Sequence, residues 1–155
     1  MKLRIIAIGH KMPAWVTQGV EEYIKRMPRE ATIEIVELKP DKRAAGKSGE
    51  QVREAEGLRL LEAVGKDYLI ALDEHGQEVS TLKLAERFKG WLGGGRDVAL
   101  VIGGADGLHP SVKQRADWLW SLTPLTLPHG MVRTLLAEQL YRAWTVIINH
   151  PYHRE

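Results

Sequence analysis

The stretch from Tyr68 to Gly107, YLIALDEHGQEVSTLKLAERFKGWLGGGRDVALVIGGADG, decides the fold. Tyr68 to Leu72 and Val98 to Ile102 are continuous apolar runs, too short for helices and rich in branched side chains, so both read as buried strands. Asp73 to Gln77, with Gly76, reads as a turn. Between the strands, Ser80 is placed to cap a helix. That helix carries Leu82, Leu84, Ala85, Phe88 and Trp91 at helical spacing, and Gly93, Gly94 and Gly95 close it. A strand, a helix and a second strand form a crossover unit, which joins parallel strands.

The same alternation continues on both sides. Toward the N-terminus, Leu3 to Ile8 is a strand interrupted only by Arg4 and bounded by Gly9. Pro13 suits a first helical turn, and Trp15, Val16, Gly19, Val20, Tyr23, Ile24 and Met27 follow at helical spacing. Thr32 to Leu38 alternates with period two, as a strand with one wetter face does. Lys39 to Gly49 is basic and aperiodic and reads as a mobile loop. Ser48 with Gln51 then makes a capping box for a helix carrying Val52, Leu58, Leu61 and Val64. Toward the C-terminus the pattern predicts a helix from Ser111 to about Trp118 and a short strand around Ser121 to Thr123. A last helix follows from about Met131 to Ile147, with a tail from Ile148 to Glu155. The expected fold is α/β, a mostly parallel sheet flanked by helices, in one domain spanning 1–155.

Composition narrows the function. The chain has 155 residues, 44% hydrophobic and 27% charged, which excludes disordered and fibrous classes. With no cysteine there can be no disulfide, Cys-zinc site, iron–sulfur cluster or cysteine nucleophile. Twenty-two Lys+Arg against 20 Asp+Glu give +2, too balanced to argue nucleic-acid binding from net charge. Apolar runs reach only about six residues, far short of the roughly 20 a membrane helix needs, and no signal-peptide pattern opens the chain. A soluble, cytoplasmic protein is expected.

In open α/β sheets ligands sit beyond the C-terminal ends of the strands, so the default site is the loops after Leu72, after Ile102 and from Leu122 to His129. Gly103-Gly104-Ala105-Asp106-Gly107 lacks the dinucleotide spacing; it is either a sharp turn or a close approach of backbone to a ligand. Pro124 and Pro128 stiffen Leu125-Thr126-Leu127. Gly46-Lys47-Ser48 resembles the end of a phosphate-binding loop, but Asp41 stands where that motif needs glycine, so it is rejected. The last helix is apolar over more than one face, which suggests a subunit interface, and its Glu138 and Arg142 stand at i,i+4.

The tail packs His150, Tyr152, His153 and Arg154 together. Two histidines three apart are not completed to a metal site by Cys or an HExxH motif, so no metal is expected. Tyrosine, histidine and arginine side by side suit stacking on a base and holding phosphate. Fully extended, such a tail spans on the order of 26 Å, enough to reach a neighbouring subunit. Lys2, Arg4, Lys25, Arg26, Arg29, Lys39, Lys42, Arg43 and Lys47 are scattered cations, either a solvated surface or, if they share one side, an RNA-binding one.

The segments KLRIIAIGHKMPAWVTQGVEEYIKRMP, LVIGGADGL, SLTPLTLPHGMVRTLLAEQLYRAW and NHPYHRE together resemble the SPOUT-class methyltransferases that act on a pseudouridine of bacterial large-subunit (23S) ribosomal RNA. The resemblance spans the whole chain; Gly130, where a bulkier residue is common, is a local departure. It implies a C-terminal trefoil knot, a homodimer, and methylation of pseudouridine N3 in an intersubunit-bridge hairpin of assembled ribosomes, with S-adenosylmethionine as donor. Matched by motif, the donor contacts fall on Leu72, Gly103, Leu122, Thr123, Pro124, Leu125, Thr126 and Leu127. The tail motif falls on His150, Tyr152, His153 and Arg154, acting on RNA from the partner subunit. His153 is a candidate base, Arg154 a stabiliser of charge on the ring carbonyls, Tyr152 a stacking platform, and Glu138 a further base candidate whose pairing with Arg142 competes with that role. The rival readings are a SPOUT enzyme with another rRNA or tRNA target and a non-catalytic ribosome-binding factor.

Overall fold

A computed structural model describes residues 1–9, 11–41 and 46–154; Lys42, Arg43 and Glu155 of the basic loop and tail lie outside the described residues. In chain order the elements are β1 (Lys2–Ile8), α1 (Ala14–Ile24), β2 (Thr32–Leu38), α2 (Gly49–Val64), β3 (Tyr68–Gln77), α3 (Thr81–Gly94), β4 (Val98–Ile102), α4 (Pro110–Arg115), β5 (Trp118–Trp120) and α5 (His129–Ile147), followed by a 3-10 turn (Pro151–His153). The strands order as β2-β1-β4-β3-β5 and every neighbouring pair is parallel.

Alternation along the strands sends side chains to two cores. Leu3, Ile5 and Ala7 of β1 face one layer with Phe88 and Trp91 of α3 and Leu136 and Leu140 of α5. Ile6 and Ile8 face the other, with Leu60 and Val64 of α2 and Val112 of α4. The sheet is covered on both faces, as a parallel sheet must be. The wide apolar surface of α5 is met within the chain, by the sheet beneath and by α1 and α3 on its flanks.

Ser48 and Gln51 form the expected capping box, with Gln51 N–H donating to Ser48 Oγ at 3.2 Å. The described ends of the basic loop are tied down: Arg59 donates to the Lys39 carbonyl at 3.0 Å, and the Asp41 carboxylate receives Lys47 at 2.7 Å and Arg59 at 2.9 Å. The Lys47 bond, then the Arg59 bond, against an opposing effect of burial, holds the Asp41 carboxyl below its ordinary range. Lys2, Arg4, Lys25 and Arg26 likewise pair with carboxylates, so much of the scattered positive charge is already matched.

Four expectations need correction. Asp73 to Gln77 is not a separate turn but part of β3, in which Leu72 and Gln77 both pair with Trp120 across a register shift. Gly76 permits this, since a Cβ there would lie 2.8 Å from the Leu119 carbonyl. The last strand is Trp118–Trp120 rather than Ser121 to Thr123, and α4 stops at Arg115 because Asp117 joins β3, its carboxylate accepting Leu69 N–H at 2.8 Å. On α2, Leu58 points outward and Leu60 takes the core position.

Candidate active site

Beyond the C-terminal ends of β3, β4 and β5 lies a cleft of about 270 Å³. Leu72, Gly103, Leu122, Thr123, Leu125, Thr126 and Leu127 line it together; Pro124 is exposed and stands outside the lining. Asp73 and Glu74 form an acidic rim, and Ile102, Trp120 and Val132 add apolar wall that the sequence reading had left out. Those three belong to strand ends and a helix, so only the three-dimensional convergence reveals them.

The loop between β5 and α5 is held by its own polar groups. Ser121, almost fully buried, gives its hydroxyl to the Thr123 carbonyl at 3.1 Å, and its N–H bonds the Gln77 carbonyl at 2.9 Å. Leu125 N–H donates to Thr123 Oγ1 at 3.2 Å, and the Leu125 side chain is an exposed part of the cleft's edge. After β4 the chain turns sharply: Gly107 N–H donates to the Gly104 carbonyl at 3.0 Å, and Gly107 adopts φ +79. A Cβ on Gly103 would lie 2.8 Å from the Gly107 carbonyl carbon, so this glycine both makes the turn and borders the cleft. Apolar walls, short polar side chains and an acidic rim suit a ligand with a flat heteroaromatic ring, ribose hydroxyls and a positive charge, which fits S-adenosylmethionine.

The tail is elsewhere. It does not extend; His150 N–H bonds the Thr145 carbonyl at 2.8 Å and Pro151–His153 make one 3-10 turn. The Tyr152 hydroxyl donates to Glu138 Oε2 at 2.7 Å and lies 3.2 Å from the Tyr23 hydroxyl. The Tyr152 ring packs edge-on to Tyr141 at 4.8 Å, with the Arg142 guanidinium 4.8 Å from its centroid. Burial, then the bonds to Tyr23 and Glu138, raises the pKa of the Tyr152 phenol, so it stays neutral. Glu138 is saturated: Arg142 donates to Oε2 through Nε at 3.0 Å and Nη2 at 2.7 Å, and Gln139 donates to Oε1 at 2.9 Å. A carboxylate so engaged anchors its neighbours rather than taking a proton. His153 keeps Nδ1 without a partner, and Arg154 is exposed. Among the described residues, none of the tail lines the cleft of its own chain.

Comparison with known proteins converges on one family. A family model described as a "Predicted SPOUT methyltransferase" matches residues 1–153. A protein of Methylobacillus flagellatus named "Ribosomal RNA large subunit methyltransferase H" is 69% identical over 155 residues, covering 100% of both chains. One of the same name from Burkholderia lata is 56% identical, covering 99% of each. In three dimensions, the crystal structure of a tRNA methyltransferase from Aquifex aeolicus is similar in fold, with TM-score 0.52 and 17% identity over 92% of this chain and 70% of that one.

Proposed function

The chain belongs to the SPOUT methyltransferase family, and from that membership we propose that it methylates N3 of a pseudouridine in the intersubunit-bridge hairpin of large-subunit (23S) ribosomal RNA, with S-adenosylmethionine as donor. The observation that carries this reading is the convergence of Leu72, Gly103, Leu122, Thr123, Leu125, Thr126 and Leu127 on one cleft. The names of the relatives support a ribosomal RNA target. The trefoil knot characteristic of the fold and a cytoplasmic location belong to the same reading.

Bound in the cleft, the donor supplies an activated methyl: the ring nitrogen's lone pair forms the new N–C bond as the C–S bond breaks, leaving a neutral thioether. No metal is needed for such a displacement. The chain has to hold the nitrogen in line with the methyl, an arrangement that contributes roughly 7–11 kcal/mol. It must also receive the N3 proton. We assign His153 as the base, and Arg154 to the charge developing on the ring carbonyls. Tyr152 holds these two residues in place through Glu138 and Tyr23. Because the tail is fastened to α1 and α5 and stands apart from its own cleft, these roles call for a homodimer in which each tail serves the partner's cleft.

The test is transfer of labelled methyl to ribosomes from cells lacking the modification, with the product base mapped by mass spectrometry. Label on N3 of the bridge-hairpin pseudouridine is expected; label on another base or on tRNA moves the target while keeping the cleft's role. Absence of donor binding by calorimetry returns the chain to a non-catalytic ribosome-binding factor.

A further inference from the structure

Across Gly103 from the cleft lies a second hollow, of about 570 Å³. The two share Ile102, Gly103, Leu127 and Val132 as a common wall, so ligands in the two would stand against each other. The far side is made by the end of β1 at Gly9, by Glu56 of α2 and by His129 in the first turn of α5. None of these side chains has a part in the cofactor cleft or the tail.

Glu56 is only 4% exposed; its Oε2 accepts Asp41 N–H at 3.0 Å, while Oε1 has no partner. A bare carboxylate oxygen in the interior is a standing cost, removed when a donor arrives. This oxygen lies 2.9 Å from where a Gly104 Cβ would be, so glycine is what lets the carboxylate come this close to the loop after β4. His129, which lines the same hollow, accepts at Nε2 from Arg133 Nε at 2.9 Å. A guanidinium can only donate, so Nε2 carries no hydrogen and the neutral ring holds its proton on Nδ1. Arg133, 3% exposed, is held in turn by Glu37 at 3.0 Å. The hollow thus offers a fixed acceptor and a fixed donor.

An acceptor and a donor lining one hollow match a uracil-type ring, on which N–H groups alternate with carbonyls. We propose that this hollow receives the target nucleobase, with Glu56 accepting a ring N–H and His129 donating to a ring carbonyl. The inference rests on the pseudouridine reading and sharpens it. A pseudouridine carries hydrogen on both ring nitrogens, whereas in uridine N1 is taken by the sugar. With N3 turned to the shared wall and its methyl donor, N1–H is left for Glu56. Glu56 is therefore the residue that distinguishes the modified base from uridine.

The experiment compares wild type, Glu56→Gln and Glu56→Ala on ribosomes carrying either pseudouridine or uridine at the target, in single turnover, with donor affinity measured by calorimetry. A pocket built to bond a ring N–H rejects the analogue lacking it, so Glu56→Gln is expected to slow transfer to pseudouridine about 30-fold and the uridine reaction less than about twofold. Donor affinity stays within about twofold, and Glu56→Gln melts no lower than wild type, since the oxygen it replaces is unpaired. A tenfold loss of donor affinity would assign Glu56 to the donor's ammonium group and overturn the proposal. Equal slowing on both substrates, or none, also overturns it. If the wild type modifies no ribosome, the pseudouridine reading fails, and the hollow is judged separately by titrating pseudouridine monophosphate into protein saturated with S-adenosylhomocysteine. Binding at least tenfold tighter to wild type than to Glu56→Gln upholds the pocket; equal binding, or none, removes it.

Discussion

The strand-end cleft and the C-terminal tail are built from different materials. The cleft is made of strand ends, glycines and apolar walls with a few short polar side chains, and its shape follows from how β3, β4 and β5 end. The tail is a network of side chains, Tyr152 to Glu138 to Arg142, with Tyr23, Tyr141 and Arg26 packed around it. The first kind of site changes when the backbone is disturbed and tolerates exchange of individual apolar residues. The second can lose its order with one hydroxyl while the fold stands. Under the proposed function, the contrast separates binding of the donor from delivery of the proton-handling groups.

The largest test of that separation is removal of residues 150–155. Donor affinity is expected to hold within about twofold, while transfer to ribosomes falls about 10²–10⁴-fold, the range general acid–base groups contribute; parallel loss of both in calorimetry and single-turnover assays would erase the distinction. Gly103→Ala attacks the other side. Its Cβ, 2.8 Å from the Gly107 carbonyl carbon, forces the turn apart at a cost of about 1–3 kcal/mol, read as a lower melting temperature together with weaker donor binding. Tyr152→Phe is gentler. Losing the bonds to Glu138 and Tyr23 costs about 1 kcal/mol in denaturant unfolding and slows transfer, with donor affinity unchanged. Because the folded Tyr152 pKa is raised above its ordinary 10.0, the tail's contribution persists below pH 10 and is lost as the pH rises beyond it. The smallest effect concerns His129, whose pKa burial, and then Arg133, lowers from its ordinary 6.5. The unfolded chain takes up that proton first, so stability declines as the pH falls below about 6.5, and His129→Gln is expected to flatten the decline in pH-dependent melting.

The strands of the first half, the Ser48 cap and the strand-end loops were legible because periodicity, capping chemistry and the behaviour of parallel sheets are local or topological rules. What escaped depended on partners distant in sequence. The polar run Asp73 to Gln77 looks like a turn, yet it stays in the sheet because the Gln77 side chain accepts the Trp118 indole N–H at 2.9 Å and Arg87 at 3.0 Å. Trp118 reads as the end of a helix until its ring is seen stacked on Trp120, with centroids 5.0 Å apart, on one face of β5. Arg133 is a charge on an apolar helix, and only its pairing with Glu37, 96 positions away, explains its burial. Likewise the tail's shape could not be read from its motif, since the carbonyl of Thr145 and the carboxylate of Glu138 decide how it curls.

The register shift in β3 has a consequence of its own. Leu72 and Gln77 both pair with Trp120, so residues 73–76 form an arch with both feet on one residue of the neighbouring strand. Closing so short an arch costs little entropy, and the sheet has already met that cost during folding. Asp73 and Glu74 therefore stand at the mouth of the cleft before any ligand arrives, and a cationic group docking there does not have to order a loop to be received.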